Sequence, residues 1–115
     1  MIPMAQNIYR IELEIVEAAG CVAHQVGERF VYPQDSGKLC GWLMDSARGM
    51  LTVLRYGGRL PWTYTGTPYE KVIDPEGVTT EFISCPDPTA RVVLKVMRTR
   101  IGEVGADGKP IFFDR

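Results

Sequence analysis

The sequence predicts an α+β fold: a small antiparallel sheet of four or five strands with one main helix packed on one face. Three observations carry that expectation. Within Cys40–Trp62, the residues Leu43, Ala47, Met50 and Leu54 recur at helical spacing, and Met44 and Leu51 widen the stripe. Elsewhere apolar and polar residues alternate with the period of a strand. Short glycine, proline and aspartate turns join those stretches, and short connections favour antiparallel neighbours.

The composition bounds the rest. With 115 residues the chain is long enough for one domain and too short for two comfortable ones. Thirteen Lys and Arg against fourteen Asp and Glu leave a net charge of -1, so no strong field draws in nucleic acid or an anionic membrane. No apolar run approaches the ~20 residues of a membrane helix. The opening MIPMAQNIYRIELEI carries no smooth apolar core behind a basic segment, so a cytoplasmic location is expected. Three widely spaced cysteines, Cys21, Cys40 and Cys85, do not form a disulfide framework.

Taken in order, residues 1–7 read as a loose lead. Tyr9, Ile11, Leu13 and Ile15 then alternate with Arg10, Glu12 and Glu14 as a half-buried strand that ends before Gly20. Cys21 to Gly27 reads as a loop, Glu28 to Tyr32 as a second strand paired antiparallel with the first, and Pro33 to Lys38 as a turn. The helix follows. Arg55 suits its C-terminal dipole, Gly57 and Gly58 stop it, and Gly49 weakens its middle or lets it pack closely. Thr63 to Gly77 is the least regular part and reads as a surface excursion of the kind that carries specificity. Val78 to Ser84 and Arg91 to Arg98 are strands joined by the rigid Cys85-Pro86-Asp87-Pro88 turn. Residues 1–98 make the domain. Residues 99–115 are expected as an extension, a short hairpin turning at Asp107-Gly108, whose Phe112 and Phe113 pack on the domain or on a partner chain.

Three sets of residues could carry chemistry. Cys21, His24, Cys40 and Cys85 amount to a Cys3His ligand set suited to zinc or iron, with Asp87 as an outer acceptor that orients a ligand. Only Cys21 and His24 are close in sequence, and cysteines are also among the residues most often simply buried. Alternatively, Cys40 at a helix start or Asp87 works with His24, the one histidine, in a metal-free enzyme. The third set flanks the helix: Trp42, Tyr56, Arg59 and Trp62, with Arg55 and Tyr64 nearby, would line a pocket for a small aromatic or carboxylated ligand. Nucleophile elbows, phosphate loops and dinucleotide fingerprints are absent.

The ordered set Cys21-Val-Ala-His24-Gln-Val-Gly27, Cys40-Gly41-Trp42, Leu54-Arg55-Tyr56-Gly57-Gly58, Pro61-Trp62, Cys85-Pro86-Asp87 and the Val92 to Val96 strand resembles a family of small uncharacterised proteins built on those motifs in that order. The resemblance covers about residues 8–98. It departs where Ala23 replaces the usual glycine before the histidine, where the Gly66 to Gly77 loop is longer, and in the tail after Thr99. It implies that the cysteines and the histidine share one site, and implies no reaction. The expectation drawn from all this is a small metal-binding protein, either free-standing or an accessory subunit of a larger enzyme. The alternatives are the Cys40 or Asp87 enzyme and a protein-interaction module that docks by its aromatic tail. A homo-oligomer is expected because so small a domain gains from extra burial.

Overall fold

The computed structural model describes residues 6–74 and 76–113. Residues 1–5 of the expected lead, Pro75 of the central loop and residues 114–115 of the tail lie outside that description. Five strands and one main helix form the domain: β1 (Asn7–Ala19), β2 (Arg29–Tyr32), α1 (Gly41–Arg55), β3 (Val78–Ser84), β4 (Arg91–Val104) and β5 (Pro110–Phe112). The sheet is antiparallel throughout, in the order β2-β1-β4-β3, with β5 also paired to β4.

Register puts the apolar set on one face. Leu13 lies opposite Val96, which lies opposite Glu81; Ile15 lies opposite Leu94, which lies opposite Ile83. The helix covers this face with Leu43, Met44, Ala47, Leu51 and Leu54, all buried. Burying a leucine of this kind is worth roughly 1.5–3 kcal/mol, so this seam is the main source of stability. The other face carries Glu12, Glu14, Lys95 and the Arg29–Glu14 pair, as a sheet wet on one side should. Register shifts near Ile8 and Val16 let β1 follow β4 for its full length.

The helix begins after Cys40, whose carbonyl accepts from Met44 N–H at 2.9 Å, and no side chain caps it. It ends where Gly57 adopts φ +92°, a conformation that costs a glycine little. Gly49 is exposed, and an added Cβ would meet nothing within 4 Å, so it serves no close packing.

β4 does not stop at Arg98. It continues as one strand to Val104, so the expected boundary between residues 98 and 99 falls inside a strand. Gly105 to Lys109 form the turn, with Gly108 at φ +81°. Phe112 and Ile111 remain exposed, and the Phe113 ring meets Arg100, whose Cζ lies 4.6 Å from its centre. No helix among the described residues is long and apolar enough to cross a membrane.

Candidate functional site

The turn after β1 folds so that Gly27 N–H reaches Ile15 O at 2.8 Å and Ile15 N–H reaches Glu28 O at 2.9 Å. This places His24 under the helix start, 5% exposed and edge-on to Phe30. Its Nε2 accepts from the Cys40 backbone N–H at 2.9 Å, and its Nδ1 lies 3.1 Å from Glu28 Oε1. An accepting Nε2 puts the ring proton on Nδ1, which donates to Glu28. The Gln25 N–H, followed by His24, holds the Glu28 carboxyl below its ordinary range against a smaller desolvation effect.

This geometry overturns the Cys3His site. Among the described residues no group of three or more His, Cys, Asp or Glu side chains comes together to hold a metal ion. Cys21, Cys40 and Cys85 are free thiols, partly buried against the edge of the hydrophobic core, and the Cys21 sulfur accepts from Ala23 N–H at 3.4 Å. The physical reason lies in His24: both of its ring nitrogens are spent on bonds that tie a loop to a helix. The zinc or iron expectation falls with the site, and so does the outer role of Asp87. The same bonds remove His24 as a base for the Cys40 thiol or for Asp87. Asp87 instead closes a turn, with Oδ1 accepting from Thr89 N–H at 2.8 Å and Thr89 Oγ1 at 2.7 Å. The Thr89 backbone bond, then its hydroxyl, lowers the Asp87 carboxyl pKa.

The residues of the expected aromatic pocket are spread along the helix and beyond it. Trp42 stands in the first turn of α1 and Tyr56 just past the last, about 21 Å apart along the axis at 1.5 Å per residue. Trp42, Tyr56 and Trp62 are 51%, 75% and 60% exposed, and Arg59 is exposed as well. Tyr56 lines a cleft with Tyr9 and Arg55 at the C-terminal end of the helix.

A different cleft gathers the aromatic side chains. It holds about 450 Å³ between α1 (Ser46, Met50), the end of β3 (Phe82, Ile83, Ser84), β4 (Arg91, Val93) and two tyrosines of the central loop, Tyr64 and Tyr69. The loop is closed on itself: Lys71 N–H donates to Thr63 O at 2.8 Å, and Thr67 N–H to Tyr64 O at 3.2 Å. Tyr64 takes φ +55°, an uncommon conformation for a side-chain-bearing residue. Lys71 pins the loop to the sheet. Its Nζ lies 2.5 Å from Glu81 Oε2, with both side chains almost wholly buried. The second Glu81 oxygen accepts from Phe82 N–H at 2.9 Å, so each carboxylate oxygen has a partner.

Tyr69 crosses to the other side of the β3 edge. Its ring meets Phe82 edge-on at 5.5 Å, and its hydroxyl is bonded to Glu17 Oε2 and to Arg91 Nη2, the latter at 2.6 Å. Arg91 Nε also donates to Glu17 Oε1 at 3.2 Å. These contacts, the Tyr69 bond first, lower the Glu17 pKa and raise that of Arg91. The adjoining β3 edge is occupied: Thr80 N–H donates to Val72 O at 2.9 Å, and Ser46 Oγ donates to Ser84 O at 3.1 Å. With Phe82 N–H held by Glu81, little of that edge is left to pair with an incoming strand.

Sequence reading passed over Tyr69, Lys71, Glu81 and Arg91. One signal was available: Glu81 sits two residues before Ile83 on a strand, hence on the apolar face, where a carboxylate requires a partner. No family model, curated protein or solved structure matches the chain.

Proposed function

We propose that this is a small-ligand-binding domain, with its site in the cleft between α1, the end of β3 and the Thr63–Lys71 loop. The carrying observation is a cleft of about 450 Å³ walled by Tyr64, Tyr69, Phe82, Met50 and Val93 with one guanidinium at its rim. That size and mixture suit a flat, mostly apolar molecule of a few rings. Two features support a built site over a packing defect. One wall is a loop fastened by a buried ion pair, an arrangement whose desolvation a plain surface loop does not need. The neighbouring strand edge is filled, which favours a compact ligand over an extended peptide.

Titration with indole, followed by the methyl resonances of Met50, Ile83 and Val93, tests the reading. Saturable shifts confined to those methyls and to the Tyr69 and Phe82 rings are expected, and Ile83→Trp, which enlarges a lining residue, abolishes them. Unperturbed methyls at saturating indole overturn the reading.

A further inference from the structure

We infer that the cleft selects molecules that carry a carboxylate on a flat ring system, and that Arg91 is the residue that selects them. The inference rests on the cleft being a ligand site and adds the polar half of the ligand.

Among the described residues, the charged hydrogen-bonding atom left at the cleft without a partner is a donor, Arg91 Nη1. Both oxygens of Glu81 are used, one by Lys71 and one by Phe82 N–H. Both oxygens of Glu17 are used, one by Arg91 and one by the Tyr69 hydroxyl. The single hydrogen of Ser46 Oγ is shared between the carbonyls of Leu43 and Ser84, each at 3.1 Å. Arg91 spends Nε on Glu17 and Nη2 on Tyr69, and among the described residues Nη1 makes no bond within the chain. A guanidinium has five N–H donors and no acceptor, so the group it can still take is an acceptor, best an anionic one.

The aromatic walls point the same way. Lys71 Nζ lies 5.2 Å from the centre of the Tyr64 ring, and Arg91 Cζ lies 5.7 Å from that of Tyr69. Each tyrosine of the site already faces a cation of the chain, so a cationic guest would meet like charge at both rings. The Arg91 side chain is more exposed than Glu17, at 59% against 36%, and the Glu17 pair holds the guanidinium while leaving Nη1 without a partner among the described residues. A ring seated against Phe82 and Val93, which share the sheet face turned away from α1, would bring its carboxylate to Arg91 Nη1, and Glu17 would act as the resident counter-anion with which the ligand shares Arg91.

Three probes with one ring system separate the possibilities: 2-naphthoate, 2-naphthylmethanol and 2-naphthylmethylamine, each titrated into the full chain by calorimetry. A charge-assisted bond at an exposed guanidinium corresponds to about a tenfold preference. Naphthoate is therefore expected to bind about tenfold more tightly than the alcohol, and the amine most weakly. Arg91→Gln should remove the preference, so that the acid binds no more tightly than the alcohol to that variant. Glu17→Gln keeps an acceptor for Tyr69 but releases Arg91 from its counter-charge, and should tighten naphthoate binding alone. Equal affinities for acid and alcohol, or a preference for the amine, overturn the inference and leave the cleft as a neutral site. Failure of all three probes to bind overturns both readings.

Discussion

Arg98 closes the end of the helix from the middle of the sheet: its Nη1 donates to Leu54 O at 3.0 Å and to Gly58 O at 2.5 Å. The last carbonyls of a helix lack intrahelical partners, and a buried end must find them elsewhere. Here a cation meets the negative pole of α1 while its guanidinium stacks 4.5 Å from the Tyr9 ring centre. Burial is the main cause that lowers the Arg98 pKa, and Arg59 adds to it. The contact fixes the far end of the helix against β4.

Replacing Arg98 with methionine should therefore cost about 2–4 kcal/mol, since it removes charge-assisted bonds and strands buried carbonyls. Arg98→Lys should recover only part of the loss, because a point charge cannot span two acceptors and a ring. Urea unfolding midpoints of the two variants check this, and equal stability of Arg98→Met and the parent would sink it.

The Lys71–Glu81 pair predicts a characteristic non-additivity. Lys71→Met alone leaves a buried, unpaired carboxylate and should cost about 3–5 kcal/mol. Adding Glu81→Gln removes the charge but keeps an oxygen for Phe82 N–H, so the double variant should be more stable than Lys71→Met alone. Thermal unfolding of the cycle at one pH is the measurement.

For His24, the bond from Cys40 N–H requires the proton on Nδ1. Nitrogen-15 spectra should show the tautomer with the proton on Nδ1. His24→Phe, which fills a similar volume but accepts nothing, should cost about 1–3 kcal/mol by leaving the Cys40 amide unpaired. Chelator treatment should leave the melting temperature unchanged.

Acid should destabilise the fold through four surface carboxylates. Glu17, Glu28, Asp35 and Asp87 each have a pKa lowered by hydrogen bonds to Tyr69, Gln25, Val31 and Thr89 in turn. A folded pKa below the unfolded one means the unfolded chain binds more protons. The stabilisation is thus complete above the ordinary carboxylate range of roughly 4 and is lost as pH falls through the folded values. Melting temperatures from pH 7 to pH 2 should fall most steeply at the acid end, and Asp87→Asn should flatten the slope by lowering the neutral value while leaving the acid value nearly unchanged.

Gly102 lies so near β5 that an added Cβ would stand 2.5 Å from Ile111 O and 3.1 Å from Phe112 Cα. Gly102→Val should detach β5 from β4 while the core under α1 survives. Hydrogen exchange should then show lost protection of Phe113 N–H, which donates to Ile101 O at 2.9 Å, with Leu94 and Val96 unaffected.

The class of fold, the helix and the alternating strands are legible in the order of residues, because hydrophobic period is a local property that neighbouring residues set together. Leu13, Leu94 and Leu54 announce their burial by spacing alone. Even the five-residue Asp107-Gly108 turn is written in the residues that form it. What the polar residues do depends on how the chain folds back on itself. His24 has the look of a ligand beside Cys21, yet the fold delivers the Cys40 amide to its Nε2 across sixteen residues. Lys71 and Glu81 meet because an irregular loop returns to an edge strand, and Tyr69 reaches Glu17 because β1 and β4 happen to be neighbours in the sheet. The difference is physical: apolar burial is non-directional and needs only the right face, whereas a hydrogen bond or ion pair needs one specific partner, brought within about 3 Å by chain far away in sequence.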